Sequence, residues 1–179
     1  MIARYAYVDE SVRRGRYLLA VVVVEPERAG QLRRQLRHLL LPGQRKLHFK
    51  KESPRRRREL LVTLTAMNLD VTVYECQSRL GRDQEDAREL CLGRAIHRLQ
   101  ECTAAVSVLI ESRDALDRLD AVTIMRVRRE NPPLSFEHLP PAEDPLLWLP
   151  DSFAWPVGAG GDWLRRVQPA LAGGIVKVG

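Results

Sequence analysis

The chain has 179 residues, 45% apolar and 29% charged, with a formal net charge of +6 and a sequence pI of about 9.6. That composition supports the core of one globular domain over residues 1–179. No apolar run approaches the roughly 18 residues of a membrane span, and the N-terminus reads as a strand rather than a signal peptide, so a cytoplasmic protein is expected. Cys76, Cys91 and Cys102 are an odd count without CxxC spacing, which excludes a disulfide scaffold and a zinc ribbon and predicts thiols packed near the core.

Ile2 to Val8 alternates like a strand and runs into two adjacent carboxylates, Asp9 and Glu10. A turn-like Arg13-Arg14-Gly15-Arg16 leads to a second apolar strand, Tyr17 to Val24. Pro26 suits the first turn of a helix whose inward positions are Ala29, Leu32, Leu36 and Leu39/Leu40, closed by Pro42-Gly43. Lys46 to Phe49 predicts a short strand. Ser53-Pro54 caps a helix to about Met67, and Leu69 to Cys76 is a strand. Asp83 to Glu101 is a helix with Asp83, Glu85 and Asp86 in its first turn, where negative charge meets the positive end of the helix dipole.

Ala104 to Ile110 is nearly continuous in apolar residues and predicts a strand covered on both faces, followed at once by Glu111. Asp114 to Arg129 reads as a helix. Its apolar stripe is Leu116, Leu119, Val122 and Met125, and Asp114, Asp117 and Asp120 are its solvated face. Leu134 to Leu139 is a short strand. Asp144-Pro145 opens a tryptophan-rich helical segment carrying Asp151. After Gly158 to Gly161, Asp162 caps a short helix, and Ile175 to Val178 is a candidate last strand. A hairpin followed by alternating helices and strands predicts an α/β fold: a mixed β-sheet with helices packed on both faces.

Charge is segregated along the chain. Residues 33–58 hold eleven cations against Glu52 alone, a net +10, leaving −4 for the rest. Such a segment suits a polyanion, and nucleic acid is the commonest one. Arg45, Lys46, His48, Lys50, Lys51, Arg55 and Arg56 are the candidate contacts, holding backbone phosphate without reading sequence. In an extended segment Lys46, His48 and Lys50 share one face.

The acids fall at element ends. If the first strand neighbours the 104–110 strand, Asp9 and Glu111 meet, and a helix packed across that edge presents Asp151. Hard divalent cations prefer such oxygen ligands. Two ions about 4 Å apart activate water and stabilise the leaving oxygen in phosphodiester hydrolysis. The bland readings stand beside this one: Asp9 and Glu10 as hairpin turn residues, Glu111 as a capping acid, Asp151 as a surface acid, and His48 as a packed histidine. His38, His97 and His138 show no metal-ligand spacing, and most of Trp148, Trp155 and Trp163 read as core rather than base-stacking residues.

Tyr7-Val8-Asp9-Glu10-Ser11, Lys46-Leu47-His48-Phe49 and the late Leu147-Trp148-Leu149-Pro150-Asp151 resemble motifs of the DUF3800 family over about residues 5–160. The resemblance implies a ribonuclease H-like fold and a divalent-metal-dependent nuclease acting on RNA, DNA or a hybrid. Mg²⁺ or Mn²⁺ would be held by Asp9, Glu10, Glu111 and Asp151, with Asp9, Glu111 and Asp151 catalytic and Glu137 accessory. Trp148 and Pro150 depart from the family pattern, which has a polar and a small residue there. On that departure rests the alternative, a nucleic-acid-binding or assembly subunit with a degenerate site.

Overall fold

The computed structural model describes residues 4–13, 15–77, 84–102 and 104–179. Ile2, Arg14 and Asp83, named above, lie outside them. Six strands form one mixed sheet: β1 (Arg4–Arg13), β2 (Arg16–Val24), β3 (Asp70–Gln77), β4 (Val106–Glu111), β5 (Leu134–Leu139) and β6 (Gly174–Lys177), in the spatial order β5-β4-β1-β2-β3-β6. β1, β2 and β3 pair antiparallel, whereas β4, β5 and β6 join in parallel. β1 and β2 are central, so their Ala/Val/Leu-rich segments are buried on both faces.

Helices cover both faces. α3 (Gln84–Cys102) and α4 (Asp117–Val127) pack on the face bearing Ala6, Val8, Val108 and Ile110. α1 (Pro26–His38), α2 (Pro54–Thr65), α5 (Trp148–Ala159) and α6 (Gly161–Val167) lie on the face bearing Tyr7, Leu18, Ala20 and Leu109. Local chemistry sets the helix starts. Pro26 and Pro54 occupy first turns, where no amide donor is needed, and the Ser53 hydroxyl accepts from the Arg56 amide. Among the described residues, no helix is long and apolar enough to cross a membrane.

Four expectations are corrected. β1 does not stop at Val8 but continues to Arg13, which pairs with Arg16, so Asp9 and Glu10 sit inside a strand and face opposite ways. Lys46–Phe49 is not a strand. The segment instead leads into a 3₁₀ turn, Phe49–Lys51, anchored by buried Phe49 and by Arg57, which donates to the Phe49 and Lys50 carbonyls.

α4 is rotated relative to its hydrophobic pattern. It buries Asp120, Thr123 and Ile124 and leaves Leu119, Val122 and Met125 exposed. The cause is Arg88 on α3, which is buried and takes Asp120 as its counter-ion. Cys102 is exposed, unlike Cys76 and Cys91, because it ends α3.

Candidate functional site

The parallel pairing of β1 with β4 places Tyr7 beside Leu109 and Val8 beside Ile110. One register step further are Asp9 and Glu111. Alternation puts both on the face of Tyr7 and Leu109, beneath α5. Adjacent strands run about 4.8 Å apart, so the two carboxyls meet. The Glu10 amide donates to Asp9 Oδ1 at 2.7 Å, which fixes that carboxylate.

Asp151 comes from the first turn of α5. Pro150 is the third residue of the helix, where a missing amide donor leaves no broken bond. Pro150 therefore does not displace the acid that follows it. The approach to α5 is pinned from below. Asp144 caps a 3₁₀ turn, Pro145–Leu147, by accepting from the Leu146 amide, and Arg33 chelates it at 3.0 and 2.7 Å. The Tyr7 hydroxyl donates to Asp144 at 3.3 Å, so the same strand that carries Asp9 fastens the helix that carries Asp151.

These acids line one cleft of about 540 Å³. Burial lifts the Asp9 carboxyl well above the usual range, and Glu10, Glu111 and Asp151 push it further. Glu111 is raised by burial, against the pull of Lys46. Asp151 is pushed up to about 6 by burial, although the Phe49 backbone hydrogen bond and two lysines oppose the shift. Mutually raised carboxyls in a cleft are a functional-site signature. Their oxygens are the donor type that a hard divalent cation takes, and a cation would relieve their repulsion.

Cations ring the acids. Lys46, His48, Lys50, Arg13 and Arg113 line the cleft, with Trp148 and Trp155 as its apolar wall. His48 Nδ1 lies 3.9 Å from Asp151 Oδ2. Burial and the neighbouring Lys46, Lys51 and Lys50 lower its pKa, which keeps it neutral at physiological pH. The loop carrying His48 is held by Arg57, which donates to the Phe49 and Lys50 carbonyls at 3.0 and 2.6 Å and stacks over Trp155.

The other expected contacts lie outside the cleft lining. Arg45 and Lys51 are exposed, Arg55 pairs with Glu59, and Arg56 is committed to the Leu39 carbonyl and Glu59. Trp148 and Trp155 are buried core residues, and Glu137 is an exposed residue of edge strand β5.

Glu10 faces the opposite side of the sheet from Asp9. It accepts from Arg88 Nη1 at 2.6 Å and pairs with Arg113. Arg88 also chelates Asp120 at 2.6 Å through both Nε and Nη2 and donates to the Tyr17 hydroxyl at 3.0 Å. His138 Nε2 completes the network, 3.1 Å from Asp120.

Among the described residues, the ligand atoms of Asp117, Asp120 and His138 lie within 4.8 Å of one another, tighter than the Asp9, Glu111 and Asp151 set. Their oxygens are already engaged. Arg88 holds Asp120, while Asp117 accepts from Ser112 Oγ at 2.5 Å and from the Arg113 amide at 2.8 Å. Sequence reasoning missed Arg13, Arg88, Arg113 and His138. Arg113 follows Glu111 by two residues and so shares its strand-end position, a signal open to inspection. The pairing of Arg88 with Asp120 is a tertiary contact that no spacing announces.

No protein-family model matches the sequence, and no curated protein matches it. Solved structures do. The ribonuclease H2 of Pyrococcus horikoshii aligns with a TM-score of 0.57 and 19% identity, over 85% of this chain and 70% of that one. The PCNA:RNase HII complex of Archaeoglobus fulgidus gives 0.60 and 17%, over 94% and 77%. A mutant protein of Bst-RNase HIII gives 0.56 and 16%, and there the chain spans about half of its neighbour, 53%. The strand order, the helices on both faces and these alignments together establish a ribonuclease H-like fold.

Proposed function

We propose that this chain is a divalent-metal-dependent nuclease that hydrolyses phosphodiester bonds in nucleic acid. The observation that supports it most is the convergence of Asp9, Glu111 and Asp151, from two strands and a helix, on one cleft where their proton affinities are raised. In this reading they hold Mg²⁺ or Mn²⁺. Such ions supply Lewis acidity toward a phosphoryl oxygen and a water molecule. Glu10 acts through its charge and through its clamp on β1 rather than as a ligand, because Arg88 and Arg113 occupy its carboxylate.

The chain's own residues handle the polyanion. Lys46, Lys50, Arg13 and Arg113 are placed to hold backbone phosphates on either side of the acids. Trp148 and Trp155 are too buried to stack on bases. Binding is therefore expected to be sequence-independent and strongly weakened by salt. The three structural neighbours, all concerned with ribonucleases H, support nucleic acid as the substrate class. The alternative is a binding subunit with a decayed site; first-turn placement of Pro150 takes away one of its two supports and leaves the departure at Trp148.

The test is incubation with single-stranded RNA, single-stranded DNA, duplex DNA and RNA–DNA hybrid in Mg²⁺, Mn²⁺ or EDTA. Metal-dependent cleavage lost in Asp9→Asn and Asp151→Asn is the expected result. Salt-sensitive binding without cleavage, unchanged in both variants, would transfer the assignment to the binding-subunit reading, and neither binding nor cleavage would end both.

A further inference from the structure

We infer that the outer side of α4 is the contact surface between two copies of this chain paired about a two-fold axis. Leu119, Val122 and Met125 recur every third residue along that side and are 48%, 57% and 54% exposed. Rotating the helix would bury them, but it would also pull Asp120 away from Arg88, and both of those are under 5% exposed. The ion pair thus holds an apolar stripe in solvent. A contiguous apolar patch on a polar surface marks an interaction site, whereas scattered apolar residues do not.

The charge around the stripe selects the occupant. A groove of about 150 Å³ runs between α3 and α4, walled on the α3 side by the acids Glu85, Asp86 and Glu89 and on the α4 side by Leu119, Val122 and Arg126. Exposed arginines flank the stripe on α4, one turn to either side of Val122, at Arg118 and Arg126. Arg126 is paired with Glu89 within the same copy, so among the described residues the charges left for a partner are Glu85 and Asp86 on α3 and Arg118 on α4, none of which enters an ion pair. The patch is therefore acidic on one side and basic on the other, with the apolar stripe along the basic helix. A partner of single sign matches only half of such a surface. A second copy turned through a two-fold axis matches all of it: each acidic wall meets the other copy's Arg118, and the stripes lie together near Val122. α4 lies on the opposite face of the sheet from α5, so the acidic cleft stays open in the pair. The inference stands independently of the nuclease reading.

Sedimentation velocity of the full chain over a wide concentration series tests it. A dimer is expected, weakening as salt screens the acid–arginine contacts. Val122→Glu and Met125→Lys, both at positions more than half exposed, are each expected to raise the dissociation constant by about 30-fold or more with the circular dichroism spectrum unchanged. As a second measurement, Val122→Cys on a Cys102→Ser background is expected to cross-link to itself under mild oxidation, because a residue near the axis meets its own copy. A chain that stays monomeric throughout, or a dimer indifferent to both charged substitutions and without the cross-link, would overturn the inference.

Discussion

Asp9 and Glu111 stand side by side one step beyond the last paired residues of β1 and β4, Val8 and Ile110, and the charge of Glu111 raises the Asp9 carboxyl. Two carboxyls so close cannot both ionise without cost, and the burial of Asp9 adds to it. Asp9→Asn removes one charge yet keeps Oδ1 as acceptor for the Glu10 amide. The metal-free variant is therefore expected to be more stable than the native chain, with a higher Tm, because burial and the neighbouring carboxyls penalise the Asp9 charge. The same variant loses the stabilisation that Mg²⁺ or Mn²⁺ gives the native protein. A thermal melt with and without divalent ion checks both, and a lower Tm for the metal-free variant would contradict the repulsion argument.

The pH dependence follows from Asp151, whose folded pKa is raised to about 6 from an ordinary 3.8. Below about pH 4 the carboxyl is protonated in both folded and unfolded chains and contributes nothing. Between about pH 4 and 6 the unfolded chain releases the proton first, so stability falls as pH rises, and above that window the penalty is complete. Asp9 and Glu111 shift in the same sense. Asp117 and Asp120, held below the ordinary value, act oppositely but only as pH falls below about 4. Subtracting the Asp151→Asn melting curve from the native one should therefore show a native deficit growing from pH 4 to 6. The melting shift produced by Mg²⁺ should be larger at pH 7.5 than at pH 5. A difference curve flat across that window would remove Asp151 from the set of strained acids.

Much of this site was readable before any coordinates. The apolar run ending in Glu111 and the alternating run through Asp9 each declare a strand, and Pro26, Ser53-Pro54 and Pro145 declare their turns through backbone chemistry that depends on neighbours alone. Adjacency of those two strands is then enough to bring Asp9 and Glu111 together. The failures share a cause. α4 was turned the wrong way by its hydrophobic periodicity, because a buried Arg88 needs Asp120, and that requirement exists only after α3 and α4 pack. Lys46–Phe49 has strand-like residues, but the burial of Phe49 and the Arg57 bonds to the Phe49 and Lys50 carbonyls fix it as the lead into a 3₁₀ turn, and those contacts too exist only after packing.

The Arg88 network carries its own prediction. Arg88 is almost fully buried and balances Glu10 and Asp120, with His138 beside the latter. Arg88→Leu leaves buried Asp120 with only His138 and takes one of the two cations from Glu10, and is expected to cost about 3–5 kcal/mol. Adding Asp120→Leu removes the first of these carboxylates, while Glu10 keeps Arg113, so the double variant should regain most of the loss. Urea denaturation of the two variants decides the matter. A double variant no more stable than Arg88→Leu would mean that packing, not charge balance, is what Arg88 provides.

The spacing of the acids depends on how closely α5 rests on the β1–β2 hairpin, and Gly158 sets that distance. A Cβ there would lie 2.7 Å from Leu18 Cδ1 and 3.4 Å from Arg13 Cβ. Leu18 is fully buried and has no room to swing aside, and the Gly158 carbonyl is held by Arg16 Nη2 at 2.6 Å. Gly158→Val is expected to cost about 1–3 kcal/mol by overpacking and to lift α5, drawing Asp151 away from Asp9 and Glu111. Gly30→Ala is the contrasting case. It lies within α1, its Cβ would meet only Arg34 Nη1 at 3.9 Å, and it should gain up to about 1 kcal/mol from helix propensity. Gly158→Val should therefore lower both the melting temperature and the shift that Mg²⁺ adds, whereas Gly30→Ala should raise the first and leave the second alone. A Gly158→Val protein that is less stable but responds to Mg²⁺ as the native chain does would show that the seating of α5 does not govern the acid cluster.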